Sequence, residues 1–456
     1  MTELMTEAHS NTAPASPVSA ADGPQPAWGA VRKIAFRFLF CYVALLGSFC
    51  LNLGAVLDLY GLTDRVPASP LDRILGVLVS FVARNIFRVG KFKFQALTSG
   101  DSISDFLEVF TYFLIALLVT IAWSLLRRKA RNYTRLSEWL RLYAQLVLAV
   151  TLFSYGFDKA FPLQFGDLDP TTLLTTVGEQ SHFSMLWLFM AASKPYTIFS
   201  GMLELLAGIM LVTPKLRSIG ALLAVVVMTN VFALNVFYDV PVKLFSLELL
   251  LLAVYLAAPE LPRLFSLLVR NRTVGPRNET PLFDNQRGQL WAVLAQAGLA
   301  ACFFIASLVA SAQLYSRHLA TTRNVPFAGV WEVDQFQPAA NSQPLLTAKL
   351  ATEMHVEPGE DRWTKFVVGG RNEGSLQLHN GVWDYIEISV NKDHTQLEMS
   401  DPADSTWKAH FAIEQPGRNR LRLKGAINGV PVEIALHAYD KGFLLTTEKY
   451  HIIRTY

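Results

Sequence analysis

The chain divides by the rhythm of its apolar residues. Between about residues 34 and 312 long apolar runs alternate with short polar stretches, whereas from Val325 onward apolar and polar residues alternate in short segments. An apolar run of about 20 residues has the length of a helix that crosses a bilayer, and a two-residue alternation marks a half-buried β-strand. The pattern predicts about seven transmembrane helices, at about 34–57, 105–126, 136–157, 196–212, 217–237, 244–259 and 290–312. One further segment, Pro70–Val89, puts Leu71, Ile74, Leu75, Leu78, Phe81 and Val82 on one helical face. Its uninterrupted apolar core, between Arg73 and Arg84, is only about ten residues long, which predicts an interfacial helix near 71–89.

After Val325 the alternating runs include Trp363–Val368, Tyr385–Val390, Lys408–Ile413, Arg420–Lys424 and Val432–His437. They are separated by turn signals such as Pro358-Gly359, Asn380-Gly381, Pro416-Gly417 and Asn428-Gly429. About nine or ten strands are expected, in an antiparallel barrel or sandwich. The fold class is thus an α-helical integral membrane bundle followed by a C-terminal antiparallel β-domain. The expected divisions are a disordered tail over 1–27, two leading transmembrane helices within 28–135, a four-helix membrane domain over 136–260, a loop and seventh helix over 261–315, and the β-domain over 325–456.

Composition agrees with that division. Hydrophobic residues make up 52% of the 456 and charged residues 17%, the balance of an integral membrane protein. A net charge of +3 lacks the dense basic face that nucleic acid requires, so the expected surroundings are a lipid bilayer and protein partners, with no nucleic acid. The basic residues cluster between spans instead: Arg32 and Lys33; Arg127, Arg128, Lys129, Arg131 and Arg135; Lys215 and Arg217; Arg263, Arg270, Arg272, Arg277 and Arg287. In a seven-span chain these share one side, which the positive-inside rule makes the cytoplasm. The expectation is an inner-membrane protein with a cytoplasmic N-terminus and an extracytoplasmic β-domain. Arg65, Arg73, Arg84, Arg88, Lys91 and Lys93, in the first outer loop, run against the rule.

Little cofactor chemistry is encoded. The three cysteines form no C-x-x-C, and all nine histidines lie outside the apolar spans, where no membrane b-type haem would find its axial ligands. There is no metal-ligand signature, dinucleotide fingerprint, P-loop or nucleophile triad.

The polar residues inside the spans carry the candidate chemistry. Glu204 lies in the apolar run Tyr196–Val212, where a carboxylate needs a partner, a proton or water. Gly201 and Gly208 share its helical face and open it to a neighbouring helix. On the expected topology Glu204 and Asn230 lie roughly 12 Å below the outer surface and Glu248 roughly 8–10 Å. Tyr155, Asp158, Lys159, Asn235, Asp239 and Lys243 lie nearer that surface. All these groups fall in the outer half of the bundle, while the inner half is almost wholly apolar, which disfavours a through-going permease path.

Two resemblances attach to these residues. Tyr155-Gly-Phe-Asp-Lys159, Gly201-x-x-Glu204-x-x-x-Gly208, Arg217-Ser-Ile-Gly220, Asn230-x-x-x-x-Asn235 and Tyr238-Asp-Val-Pro-Val-Lys243 resemble the DoxX/DoxD-like four-helix membrane family over about 136–260. Some of its members are subunits of thiosulfate:quinone oxidoreductase or partners in membrane redox complexes. The two leading spans, the seventh span and the β-domain depart from the minimal four-helix pattern. The β-domain resembles a lipocalin-like barrel: Gly329-Val-Trp331 opens its first strand, and Arg454 falls near the end of the last, where such barrels place an arginine over that tryptophan.

A polar pocket opening outward within an apolar bundle suits an amphipathic molecule with a polar head, such as a quinone. In that reading a carboxylate, with Glu204 as the candidate catalytic residue, handles a proton, while Tyr155 and Lys159 or Lys243 hydrogen-bond an oxygen. The protein would be an oxidoreductase component that takes quinone as substrate and relies on a cofactor-bearing redox or periplasmic partner. The alternative is a non-enzymatic membrane anchor whose β-domain binds a ligand or partner protein. There the polar groups only fix packing, Glu204 with Asn230 and Asp239 with Lys243.

Overall fold

The computed structural model describes residues 27–51, 70–90, 92, 94, 101–275, 280–322, 326–338, 362–370 and 373–447. The expected N-terminal tail up to residue 26, the end of the first expected span, Arg65, Lys91, Lys93, Pro358-Gly359 and Arg454 lie outside them.

Each expected apolar segment falls on a helix. Helix α1 is Ala30–Cys50, α2 Pro70–Asn85, α3 Ile103–Leu126 and α4 Thr134–Ala160. After two short helices, α5 (Pro170–Leu174) and α6 (His182–Ala192), come α7 (Lys194–Val212), α8 (Arg217–Phe237), α9 (Lys243–Ala257), α10 (Leu261–Leu268) and α11 (Gln286–Thr322). Five of these helices, α3, α4, α7, α8 and α11, are long and apolar enough to cross a membrane. Helices α9 and α10, bent by 63° at their junction, make a sixth if taken together. Helix α1 adds 21 residues alongside α3 and α4.

Local chemistry explains the helix ends. Ser102 and Asp105 form a capping box that opens α3, with each side chain accepting from the other residue's backbone N–H. Asp169 precedes Pro170 at the start of α5, Ser181 caps α6, and Ser193 caps α7 ahead of Pro195. The α9 N-terminus is capped from a distance: the Asp101 carboxylate accepts from the backbone N–H groups of Lys243 at 2.8 Å and Leu244 at 3.0 Å. This ties the segment leading into α3 to the four-helix core.

Helices α4, α7, α8 and α9 form that core, with α1 and α3 against one side and α11 against the other. Helix α4 is the axis: Ala144 and Val147–Ala149 are wholly buried. Its closest neighbour is α7, and two glycines make the approach. A Cβ on Gly201 would stand 2.5 Å from the Gly156 carbonyl oxygen, and one on Gly156 2.8 Å from Leu205 Cγ. Gly208 is closed in the same way by Phe153. Near the start of α1 the buried Arg37 donates to Tyr133 Oη, Ser124 Oγ and the Arg127 carbonyl, a clamp across three segments.

Helix α2 differs from the expected face. Leu75, Val79, Val82 and Ala83 pack inward, with Leu107 of α3 closing the cluster. Ile74, Val77, Leu78 and Phe81 are exposed, so the expected single stripe is split between two sides. At 16 residues, about 24 Å at 1.5 Å per residue, α2 is shorter than a bilayer's hydrocarbon core.

The C-terminal domain is a closed antiparallel barrel of eight strands, each paired with its neighbour in sequence and β8 returning to β1. The strands are Gly329–Pro338, Trp363–Val368, Glu373–Leu378, Trp383–Val390, Gln396–Ser400, Lys408–Gly417, Arg420–Ile427 and Val430–Ala438, β1 to β8. The described strands number eight rather than nine or ten, and closure excludes the sandwich. Asn428-Gly429 makes the β7–β8 turn, both residues at positive φ. Pro416-Gly417 closes β6 directly before the β6–β7 turn at 418–419. Alternate residues such as Val432, Ile434 and Leu436 point inward and meet Trp331, Trp363, Phe366, Trp407 and Phe411, so side chains fill the interior. Trp331 is 6% exposed, with its indole N–H donating to the Phe327 carbonyl.

Candidate functional site

The polar residues singled out in the helices do not form one network; apart from Asn230 they sort into three groups. The first lines a cavity of about 150 Å³ enclosed by α4, α6, α7, α8 and α9. Its polar lining is Thr151, Tyr155, Lys159, Gln164, Glu204, Asn235 and Ser246, and the rest is mainly apolar or aromatic, including Trp187 and Phe245. A cavity of this size admits a single aromatic ring.

Within this wall Lys159 Nζ donates to Glu204 Oε2 at 2.9 Å, with both side chains less than a tenth exposed. The pair exists because α4 and α7 meet glycine to glycine: a Cβ on Gly201 would stand 2.7 Å from Lys159 Cβ. The Lys159 ammonium also lies 5.5 Å from the centroid of the Tyr155 ring, within cation–π range. Asn235 donates from Nδ2 to the Val242 carbonyl at 3.5 Å. The Gln164 Oε1 atom is buried with no hydrogen-bond partner among the described residues, an acceptor in the wall that a donor on a bound molecule can satisfy.

Above the cavity sits α6 with the loops on either side. Leu186 and Met190 pack with Val240, and Phe165, Phe183 and Trp187 surround them. This cover is held down at Asp167, which accepts from Lys194 Nζ at 2.5 Å and faces His318 of α11 at 2.9 Å. Partial burial pushes the Asp167 carboxyl up, but the hydrogen bonds and charge of Lys194 and His318 outweigh it and hold it below the usual carboxylate range.

The second group lies at the surface and outside the cavity lining. Asp239, at φ 54° and with its side chain 83% exposed, pairs with Lys243 at 2.8 Å. The Lys243 hydrogen bond and charge hold Asp239 below the usual carboxylate range. Lys243 also faces Asp101 at 3.7 Å, so it serves the α9 terminus rather than the cavity. Asp158 turns toward α11, accepting from Ser311 Oγ at 3.2 Å, and is not in the lining.

The third group is Glu248 with Tyr42 of α1, whose hydroxyl donates to Glu248 Oε1. Nearby on α3, Tyr112 donates to Glu108 at 2.5 Å. Glu248 therefore belongs to the interface with the leading helices.

Asn230 corrects the expected network most sharply. It is exposed, and Glu204 pairs with Lys159 instead. Asn230 and Asn235 are five residues apart, roughly 140° around a helix, so only one of them faces inward. Trp187, Gln164, Thr151 and Ser246 line the cavity without having been singled out by the sequence. The compact apolar run His182–Ala192 was the available signal for the first; none marked the others. Among the described residues, no group of three His, Cys, Asp or Glu side chains is arranged to hold a metal ion.

An apolar helical bundle with an ion pair buried in a cavity wall, followed by a filled β-barrel, defines a class: a polytopic helical membrane protein with an appended barrel. The chain belongs to the family of the "Uncharacterized protein YwoB" of Bacillus subtilis (strain 168), to which it is 30% identical over 112 residues, covering 25% of this chain and 71% of YwoB. No family model matches the chain. No solved structure matches it.

Proposed function

We propose that the bundle binds a small amphipathic molecule with a ring-sized polar head, of the quinone type, and acts as the membrane subunit of a redox complex whose cofactor lies on a partner protein. The observation that carries this reading is the cavity itself: one ring in size, mostly apolar, with the Lys159–Glu204 pair, Tyr155 and a Gln164 acceptor without a hydrogen-bond partner among the described residues on its wall. Lys159 can donate to a carbonyl oxygen, and Gln164 can accept from a hydroxyl, so both oxidation states of a quinone head find a partner. The resemblance of residues 136–260 to DoxX/DoxD-like proteins supports the same reading. In this reading the basic clusters face the cytoplasm of a cell with an inner membrane, and the cavity end and barrel face outward.

Trp187 in the wall supplies the readout. Protein purified in mild detergent is titrated with a short-chain quinone and its quinol while tryptophan emission is followed. Saturable quenching is expected, lost in Trp187→Phe and in Leu249→Trp, which fills the cavity. Quenching that is absent, or indifferent to both substitutions, rejects the site.

A second reading has its own support. The barrel interior is filled by its own side chains, which favours a protein partner on the outer surface over a small ligand inside. In that case the bundle is an anchor for the barrel. Removal of the barrel would then abolish partner recruitment and leave the quinone titration unchanged.

A further inference from the structure

Glu204 and Glu248 are both acids set within the helical bundle, and they differ in what neutralises them. Glu204 has the Lys159 ammonium at 2.9 Å. Glu248 has a tyrosine hydroxyl: Tyr42 donates to its Oε1 across the contact between α1 and α9, and among the described residues Glu248 forms no ion pair with Lys, Arg or His. Lys243, the basic residue on its own helix, is engaged by Asp239 and Asp101. The other titratable groups acting on this region are Cys50 of α1 and Glu108 and Tyr112 of α3, and none of them is a cation.

A carboxylate within an apolar bundle is stable only with a counter-charge, a proton or water. A tyrosine hydroxyl donates a hydrogen bond but brings no charge. Glu108 of α3, which accepts from Tyr112, is a further acid and supplies no counter-charge. We propose that Glu248 is a proton-binding site inside the membrane: in the resting bundle Oε2 carries the proton and Oε1 accepts from Tyr42. Ionisation breaks the Oε2–H bond and releases that proton, leaving a carboxylate that Tyr42 still solvates.

The position gives this proton a use. Glu248 shares a turn of α9 with Phe245, Ser246 and Leu249, which line the cavity, and Thr151 of the opposite cavity wall interacts with Cys50. The bundle then divides two tasks: Lys159–Glu204 supplies a fixed charge pair at the cavity, and Glu248 supplies an exchangeable proton one helix face away. The assignment does not depend on what occupies the cavity.

Infrared spectroscopy of the full chain in detergent or nanodiscs at neutral pH tests it, through the carbonyl stretch of a protonated carboxylic acid and its shift on transfer from H₂O to D₂O. A deuterium-sensitive band is expected that disappears in Glu248→Gln, persists in Glu204→Gln and Glu108→Gln, and moves in Tyr42→Phe, where a hydrogen bond to the carbonyl is lost. Should Glu248→Gln fold poorly, the Tyr42→Phe shift decides alone. The absence of such a band from the native protein, or a band unmoved by Tyr42→Phe, overturns the proposal.

Discussion

Lys159 Nζ lies 2.9 Å from Glu204 Oε2 inside the helical bundle, and both side chains are almost completely buried. The contact depends on the near-absence of side chains where α4 and α7 cross, at Gly156 and Gly201. Sequence motif, helix approach and cavity chemistry therefore meet at a single pair, and it can be probed from each side.

Breaking the pair from one side leaves an uncompensated charge. Lys159→Met is expected to destabilise the bundle by about 3–5 kcal/mol, while Lys159→Met combined with Glu204→Leu recovers much of that loss, because apolar replacement of a whole buried pair is often neutral. Thermal unfolding in detergent of the single and double variants measures the coupling; additive losses would show that the two groups act independently.

Gly201→Ala tests the approach of the helices. The added Cβ would stand 2.5 Å from the Gly156 carbonyl oxygen and 2.7 Å from Lys159 Cβ, so α4 must shift. A loss of about 1–3 kcal/mol is expected, as for other overpacked cores. Gly298→Ala on α11, where no described residue lies within 4 Å of the new Cβ, serves as the tolerated control in the same melting assay.

The two asparagines of α8 should respond oppositely. Asn230→Leu, at an exposed position, is expected to alter stability by no more than about 0.5 kcal/mol. Asn235→Leu removes the donor to the Val242 carbonyl in the cavity wall and should weaken binding of a cavity ligand. Equal sensitivity at both positions would contradict the rotation of α8.

The cover over the cavity should loosen in acid. The Asp167 carboxyl is held below its ordinary value of 3.8, so its stabilising contribution is complete above that value and lost as pH falls through the lowered folded value. Emission from Trp187 should therefore be flat from neutral pH down to about 4 and change below it, with Asp167→Asn showing the acid form throughout. A change that persists unaltered in Asp167→Asn would place the sensitivity elsewhere.

In the barrel, Trp331 is 6% exposed and packed into the core. Trp331→Ala should cost about 3–5 kcal/mol of barrel stability, read from loss of its sheet circular dichroism on heating.

Much of the architecture was readable in the residue pattern. Apolar runs of span length became helices, including Lys194–Val212 and Arg217–Phe237, because burying or lipid-exposing about 20 apolar residues demands that the backbone satisfy itself. Alternation became strands, with Trp363–Val368 matching at both ends, because side chains on a strand point to opposite faces. Gly201 and Gly208 marked a close helix contact before any partner was known. Which groups meet was another matter. Lys159 rather than Asn230 answers Glu204, Tyr42 answers Glu248, and Asp101 caps α9 from 142 residues away. Periodicity fixes a residue's face on its own helix, but not that helix's rotation against its neighbours. Those rotations are set by the packing of glycines and apolar side chains along the whole crossing, so the chemistry of the cavity was decided only when the helices docked.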